Sequence, residues 1–299
     1  GVFSQQQQVK LEIHLSEIDS LAFRDNQLQK CQWNFIALQG KEDSLITATS
    51  KLTAFKQQWK DYPATENFEL DINWINDQIS FKNTVGNEHS DLQLRLAGEA
   101  NLKNTGILLK LNDTAIRLAD KTWELHPANT ISIHKSHVRL HNILLSHEAQ
   151  QISLEGKWSS LTNEKLVISL NNLELDNFSS FISKKIGGTI HGTLLLMGTT
   201  KAPKISSNID IHDITVGDLK IGNLCTKAVW GHSDQLVNVT CQLKHAEQPT
   251  IHITGLYNPT SNSQNLDLVA EFSQAQLAVL EPFVTKVFSE LKGELTGRF

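Results

Sequence analysis

The 299-residue sequence predicts a mainly β protein whose strands form an antiparallel sheet. Apolar and polar residues alternate along most of the chain, so each predicted strand has one apolar face and one polar face. Clusters of turn-forming residues, such as 258–263, separate the alternating segments. Strands of a parallel sheet are covered on both faces and would show continuous apolar runs instead.

Each alternating segment is interpreted as one strand. Val9–Leu15 alternates with Lys10, Glu12 and His14, and Phe68–Trp74 repeats the pattern. The remaining segments with this alternation are Leu92–Leu96, Ile107–Leu111, Ile131–Ile133, Val138–Leu140, Ile152–Leu154, Leu166–Leu170, Ile209–Ile211, Val237–Leu243, Ile251–Ile253 and Leu266–Leu268.

Two short stretches have helical spacing instead. The first has apolar residues at Phe178, Phe181, Ile182 and Ile186. The second, which follows Pro282, has them at Val284, Val287, Phe288 and Leu291. Each predicts a helix of about three turns that packs through its apolar stripe.

Internal repeats indicate how the chain is organised. I152-S-L-E-G-K-W158 matches I251-H-I-T-G-L-Y257, and G188-T-I-H-G192 matches G293-E-L-T-G297, each roughly a hundred residues apart. We expect one continuous β-rich chain over 1–299 that is an excerpt of a longer protein. Its predicted repeat units are roughly 90–192 and 193–299, with a weaker one at 1–89.

Composition excludes several classes of function. The net charge is −5 and no Lys/Arg run is present, so nothing predicts binding to nucleic acid or to anionic headgroups. No apolar run reaches the length of a membrane span, and any anchor is expected outside this segment. Motifs of nucleophilic, phosphate-binding and zinc enzymes are absent from the sequence. We therefore predict no enzymatic activity and no cofactor.

Four histidines between 134 and 147 raise the question of a metal site. On a helix, His137 and His141 would present two ligands on one face. On the predicted strand the same spacing separates them by roughly 13 Å, too far for one metal ion. The histidines are interpreted as polar, outward-facing residues, and no metal is predicted.

Cys225 and Cys241 lie on either side of a predicted hairpin turn at 231–234. In a register that pairs Val229 with Val237, the two cysteines would face each other at a separation near the lower limit for a disulfide. Two free, buried thiols are the alternative, because free cysteine is often a core residue. The sequence leaves both open, with the free thiols favoured.

Three stretches resemble a known family. W123-E-L-H-P-A-N-T-I-S-I133, I152-S-L-E-G156 and L280-E-P-F-V-T-K-V-F-S-E-L-K-G-E-L-T-G297 are similar to the large TamB-type proteins of the AsmA-like superfamily, particularly those of Bacteroidota. The resemblance implies a long antiparallel sheet curled into a U-shaped trough, with short helices between repeats. It also implies a periplasmic bridge, anchored to the inner membrane and meeting a BamA/TamA-type outer-membrane protein through regions outside this segment.

A sheet with one apolar face must cover that face with another layer or with an apolar ligand. We expect an open groove in which phospholipid acyl chains lie, at about 0.8 kcal/mol per buried CH₂. The residues expected to line it are Ile131, Ile133, Val138, Leu140, Ile152, Leu154, Leu166, Ile168, Val237, Val239, Leu243, Ile251 and Ile253. The alternatives are a closed β-sandwich or solenoid that serves as an adhesin or spacer, and, less favoured, a solenoid glycan lyase.

Overall fold

The structure is a computed structural model. It describes residues 9–39, 46–59, 64–86, 92–118, 120–159, 161, 164–177, 185–199, 202–231, 236–246, 248–259, 261, 264–277 and 291–299. Nearly all of these residues lie in strands, and neighbouring strands pair antiparallel, which confirms the predicted fold class. The chain divides into two units, 1–135 and 136–299, which are described separately.

Unit 1 (residues 1–135) is a meander. Its strands are β1 (Val9–Phe23), β2 (Asn26–Gln39), β3 (Ile46–Trp59), β4 (Thr65–Ile75), β5 (Gln78–Val85), β6 (Leu92–Lys103), β7 (Gly106–Leu111), β8 (Ala115–Leu118), β9 (Lys121–Leu125) and β10 (Thr130–His134). From β1 to β6 each strand pairs with the next. β6 then pairs with β7 over one half of its length and with β8 over the other. A short segment outside any strand, residues 112–114, separates β7 from β8 and forms a first interruption.

A second interruption, between β9 and β10, adjoins the first. Asn129 lies there with a side chain that is 0% exposed. Its Oδ1 accepts the Leu111 N–H at 2.9 Å, and its Nδ2 donates to the carbonyls of Leu111 and His126, each at 2.7 Å. The amide thus replaces backbone pairing at the end of β7, where the ladder is broken.

Unit 2 (residues 136–299) is a longer regular meander in which each strand pairs with the next. Its strands are β11 (His137–His147), β12 (Gln150–Ser159), β13 (Leu166–Glu174), β14 (Ile186–Thr199), β15 (Ala202–Val216), β16 (Leu219–Trp230), β17 (Val237–His245), β18 (Gln248–Tyr257), β19 (Leu266–Gln276) and β20 (Glu294–Arg298). The repeated strings identified in the sequence form β12 and β18, and parts of β14 and β20.

The two predicted helices fall mostly on 178–184 and 284–290, which lie outside the described residues. Ile186, assigned to the first helix, is the first residue of β14. Leu291, assigned to the second, lies in a short segment before β20 without regular structure. Within the part of the chain that the structure describes there is no α-helix.

Four strands of unit 2 carry a β-bulge with one local sequence pattern, apolar–polar–polar–apolar. In register, each pair of polar residues opposes a single residue of the next strand. The segments are Leu140–Ile143 in β11, Leu170–Leu173 in β13, Ile211–Ile214 in β15 and Phe272–Ala275 in β19. The extra residue lengthens the polar side of the strand, and a bulge of this kind bends the strand locally and increases its twist.

In each bulge the second polar residue is in the left-handed region: Asn142, Asn172, Asp213 and Gln274 have φ between 50° and 53°. The side chain of the single opposing residue accepts a hydrogen bond from the backbone N–H of this second polar residue. The acceptors are Glu155 Oε2 at 2.6 Å, His191 Nδ1 at 3.4 Å, Asn223 Oδ1 at 2.8 Å and Thr296 Oγ1 at 3.0 Å. We call these four hydrogen bonds the bulge locks.

Gln274 is the bulge residue whose type fits its conformation least well, since Asn and Asp tolerate the left-handed region better than Gln. Gln274→Gly is expected to stabilise the protein by about 1 kcal/mol, because glycine adopts this φ without a Cβ clash. The midpoint of urea denaturation measures the change. Gln276→Gly, at an exposed position with ordinary strand φ, is the control and should destabilise. Equal loss in both variants would contradict the assignment of strain to Gln274.

Candidate functional site

Directly paired residues of an antiparallel sheet share a face, so the register traces rows of side chains across the strands. Two rows cross the middle of unit 2, from β11 to β19, on one face. The first is Leu145, Ile152, Leu170, Gly192, Ile209, Thr226, Cys241, Ile253 and Ala270. The second is Ile143, Leu154, Ile168, Leu194, Ser207, Ala228, Val239, Gly255 and Leu268. We call these two rows the central strip.

None of the central-strip residues is buried, and all but Leu268 are half-buried. The buried apolar side chains of unit 2 lie instead toward the strand ends on the same face. They are Leu166, Leu173, Ile214, Ile221, Trp230, Val237, Leu243, Ile251 and Ala275. A globular core has the opposite distribution, with its most buried residues in mid-strand. The strip therefore forms an accessible apolar band that crosses nine strands, roughly 38 Å at ordinary strand spacing.

The rows of side chains on either side of the central strip, which we call the flanking rows, contain the buried residues at the strand ends. Ile214, Ile221, Leu243, Ile251 and Ala275 form one hydrophobic cluster, against which Leu224 and Phe272 pack. On the other side of the strip, Leu166, Trp230 and Val237 are between 3% and 6% exposed. The chain thus packs the ends of its own strands and leaves the middle uncovered.

The structure divides the predicted groove residues of unit 2 into three groups. Ile152, Leu154, Ile168, Val239 and Ile253 belong to the central strip, as a lining role requires. Val138 and Leu140 are half-buried in a flanking row. Leu166, Val237, Leu243 and Ile251 share the face but are buried by the protein itself. The lining role of the predicted residues stays a prediction.

Unit 1 has an apolar face of its own, on which Ile131 and Ile133 lie. Leu11, Ile107 and Ile133 are exposed there, at 52%, 38% and 40%. The row through Ile131 contains Leu11, Ala37, Ala48, Trp74, Ile79, Ala100, Leu109 and Ile131. Ile131 is the residue of this row that was predicted to line the groove, because pairing register is needed to place the others beside it.

The opposite face of unit 2 carries two mainly polar rows, although Leu144, Val167 and Leu195 also lie on this face. One of its rows reads Ser153, Ser169, Thr193, Asn208, Lys227, Thr240 and Thr254. The next reads His191, Asp210, Cys225, Gln242, His252, Glu271 and Arg298. Unit 1 has a comparable charged row, in which Lys51 pairs with Asp71 at 3.7 Å and contacts Glu69. The polar rows of unit 2 and the charged row of unit 1 are suited to contact with solvent.

The histidines at 134–147 lie on strands, as predicted. His134 Nδ1 is 2.9 Å from the carbonyl of Thr105, and His141 Nδ1 is 2.9 Å from Glu155 Oε1. Burial raises the pKa of Glu155, but the Asn142 N–H and the His141 imidazole outweigh it, so the pKa lies below its usual value. In the described part of the chain, no three His, Cys, Asp or Glu side chains are grouped so as to hold a metal ion.

The predicted register of the cysteine hairpin is wrong by one residue. Val237 pairs with Trp230, so Cys241 faces Thr226 and Cys225 faces Gln242. A one-residue slip transfers a side chain to the other face of the sheet. Cys225 is consequently on the polar face and Cys241 on the central strip, and a disulfide between them is excluded. Both thiols are free, and only Cys241 is partly buried.

No family model, curated protein sequence or solved structure matches this chain. Within the described ranges, no helix has both the length and the hydrophobicity required to cross a bilayer. The central strip and the corresponding face of unit 1 are therefore the features from which a function is argued.

Proposed function

We propose that this chain is a lipid-conducting segment of a TamB-type bridge, which carries phospholipid through the periplasm between the inner and outer membranes. The observation that carries the proposal is the central strip. It is an apolar band across nine consecutive strands whose residues remain accessible while the strand ends are packed. Contiguous exposed apolar surface on this scale is characteristic of a surface that meets an apolar partner.

Acyl chains are the proposed occupant because the strip has the chemistry and dimensions for them. Its side chains are aliphatic or small, with Thr226 and Ser207 as its hydroxyl groups and no charge. A chain of about fifteen CH₂ groups would gain on the order of 10 kcal/mol if fully buried, and less on a surface that covers it from one side. Attraction of this kind is non-directional, so lipid can slide from strand to strand.

Partners and location follow from the proposed role. The segment would act in the periplasm, with an inner-membrane anchor and a BamA/TamA-type outer-membrane partner engaged by other regions of the protein. No catalytic group or cofactor is required, because the lipid is moved and not transformed.

The two cysteines in adjacent strands provide a test within the native sequence. Protein purified without detergent should carry phospholipid that mass spectrometry of an organic extract identifies. After delipidation, Cys241 should react with a maleimide, and incubation with phosphatidylethanolamine–phosphatidylglycerol vesicles should slow that reaction severalfold. Cys225, exposed on the polar face, is the matched control and should react equally fast in both states.

A lipid-free adhesin or spacer predicts a different result. No phospholipid would be extracted, and vesicles would leave the Cys241 and Cys225 rates equally unchanged. Either finding overturns the proposal. Cys31, which is 1% exposed, should remain unlabelled throughout and so reports that the fold is intact.

A further inference from the structure

The four bulge locks of unit 2 differ in how their acceptors respond to acid. The Asn223 amide and the Thr296 hydroxyl do not titrate, and Glu155 remains a carboxylate in mild acid because its pKa is lowered. The acceptor for the Asn172 N–H is Nδ1 of His191, at 3.4 Å. An imidazole nitrogen accepts a hydrogen bond only while it is unprotonated. The lock on β13 is thus the one that mild acid can remove.

The surroundings of His191 determine what protonation would do. On β13 it faces the uncharged Asn171 and Asn172, with Glu174 one pair further along the same face. On β15 it pairs directly with Asp210, and the His212 ring lies edge-on with its centroid 5.6 Å away. A protonated His191 loses its acceptor toward β13 and gains attraction to Asp210 on β15, while a charged His212 would repel it. Protonation would therefore exchange the contact of the His191 ring with Asn172 on β13 for one with Asp210 on β15.

The bulge that His191 holds lies beneath the apolar face. Leu170 and Leu173 flank Asn171 and Asn172, and Leu170 belongs to the central strip between Ile152 and Gly192. A left-handed residue without its lock is free to relax, since the conformation costs energy for any residue with a Cβ. Release of the lock would change the bend of β13 and with it the position of Leu170.

We propose that His191 is a pH-sensitive positioning residue, whose neutral imidazole holds the β13 bulge and whose protonation releases it. The switch acts on the lock itself, and only its consequence for lipid rests on the proposed function.

Amide exchange by NMR on the whole chain tests the switch without any lipid. Between about pH 7.5 and pH 5, the protection factor of the Asn172 amide, corrected for intrinsic exchange, should fall about three- to tenfold, as expected for the loss of one ordinary hydrogen bond. The Asp213 and Gln274 amides, locked by Asn223 and Thr296, are internal controls and should keep their protection. An Asn172 protection factor that falls no more than these two would overturn the proposal.

Two variants separate the lock from a general effect of acid. His191→Asn supplies an amide oxygen of the kind that locks Asp213, and it should protect Asn172 equally at both pH values. His191→Leu should leave Asn172 poorly protected at both. pH-dependent protection that persists in His191→Asn would also overturn the proposal, since the titrating group would then lie elsewhere.

The consequence for lipid is measured separately with the same vesicles and Cys241 labelling. Severalfold weaker protection of Cys241 at pH 5 in the native protein, restored in His191→Asn, is the expected result. If Asn172 responds to pH but Cys241 is never protected by lipid, the proposed function fails and the switch stands. If lipid protects Cys241 but the Asn172 amide does not respond to pH, the switch fails and the proposed function stands.

Discussion

Val239→Asp is expected to abolish lipid loading, with at least a tenfold decrease in phospholipid per protein. Val239 lies on the central strip between Ala228 and Gly255 and is half-buried. A carboxylate placed beside an acyl chain must lose water without gaining a partner, which costs several kcal/mol. If lipid slides along the strip as proposed, the added charge also blocks its passage across β17. Phospholipid extracted from purified variants, quantified by mass spectrometry, is the measurement.

The neighbouring residue provides a matched control. Thr240 is exposed on the polar face of the same strand and pairs with Lys227, so Thr240→Asp adds the same charge beside a favourable partner. It should load lipid as the native protein does. Ile152→Asp and Ser153→Asp repeat the comparison on β12, where Ile152 lies on the strip and Ser153 on the opposite face. Equal loading in Val239→Asp and Thr240→Asp would refute the central strip as the lipid path.

Asn129→Ala is expected to have the largest effect on stability, a loss of roughly 3–5 kcal/mol. The side chain is completely buried, and its three hydrogen bonds satisfy both backbone groups of Leu111 and the carbonyl of His126. Alanine would remove the hydrogen bonds that Asn129 makes to both backbone groups of Leu111, at about 1–3 kcal/mol for each buried group left unsatisfied. The midpoint of urea denaturation, followed by fluorescence of the tryptophans, measures the loss.

Asn73→Ala is the control for this prediction. Asn73 is an exposed residue of β4 in the same unit, and its removal should change stability by no more than about 0.5 kcal/mol. A shift for Asn129→Ala as small as that of Asn73→Ala would show that the two interruptions do not depend on this amide.

The stretch 123–133, one of the three from which the resemblance to a known family was predicted, contains two of the most buried residues of unit 1. Trp123, 2% exposed, and Asn129 are among the most buried residues of the protein. The stretch forms β9, the interruption and β10. Buried residues of this kind serve the fold, so the proposed function has to be tested on the accessible residues of the sheet.

The β-bulges were not predicted from the sequence, although they have a recognisable sequence pattern. The pattern apolar–polar–polar–apolar at Leu140–Ile143 and Ile211–Ile214 breaks the two-residue period and marks a bulge. The acceptors of the bulge locks could not be predicted from the sequence. Glu155 and Asn223 accept the bulge N–H groups because strand register places them opposite the bulges.

The sequence by itself determined that the chain is antiparallel β and which side chains of each strand are apolar, because alternation is local and needs only a few consecutive residues. The tertiary structure decided the register, and hence that Cys225 and Cys241 lie on opposite faces. It also decided which apolar residues are covered, as for Val237, and which stay accessible, as for Val239. Both depend on pairing between strands, where a slip of one residue exchanges the two faces at no cost to the local pattern.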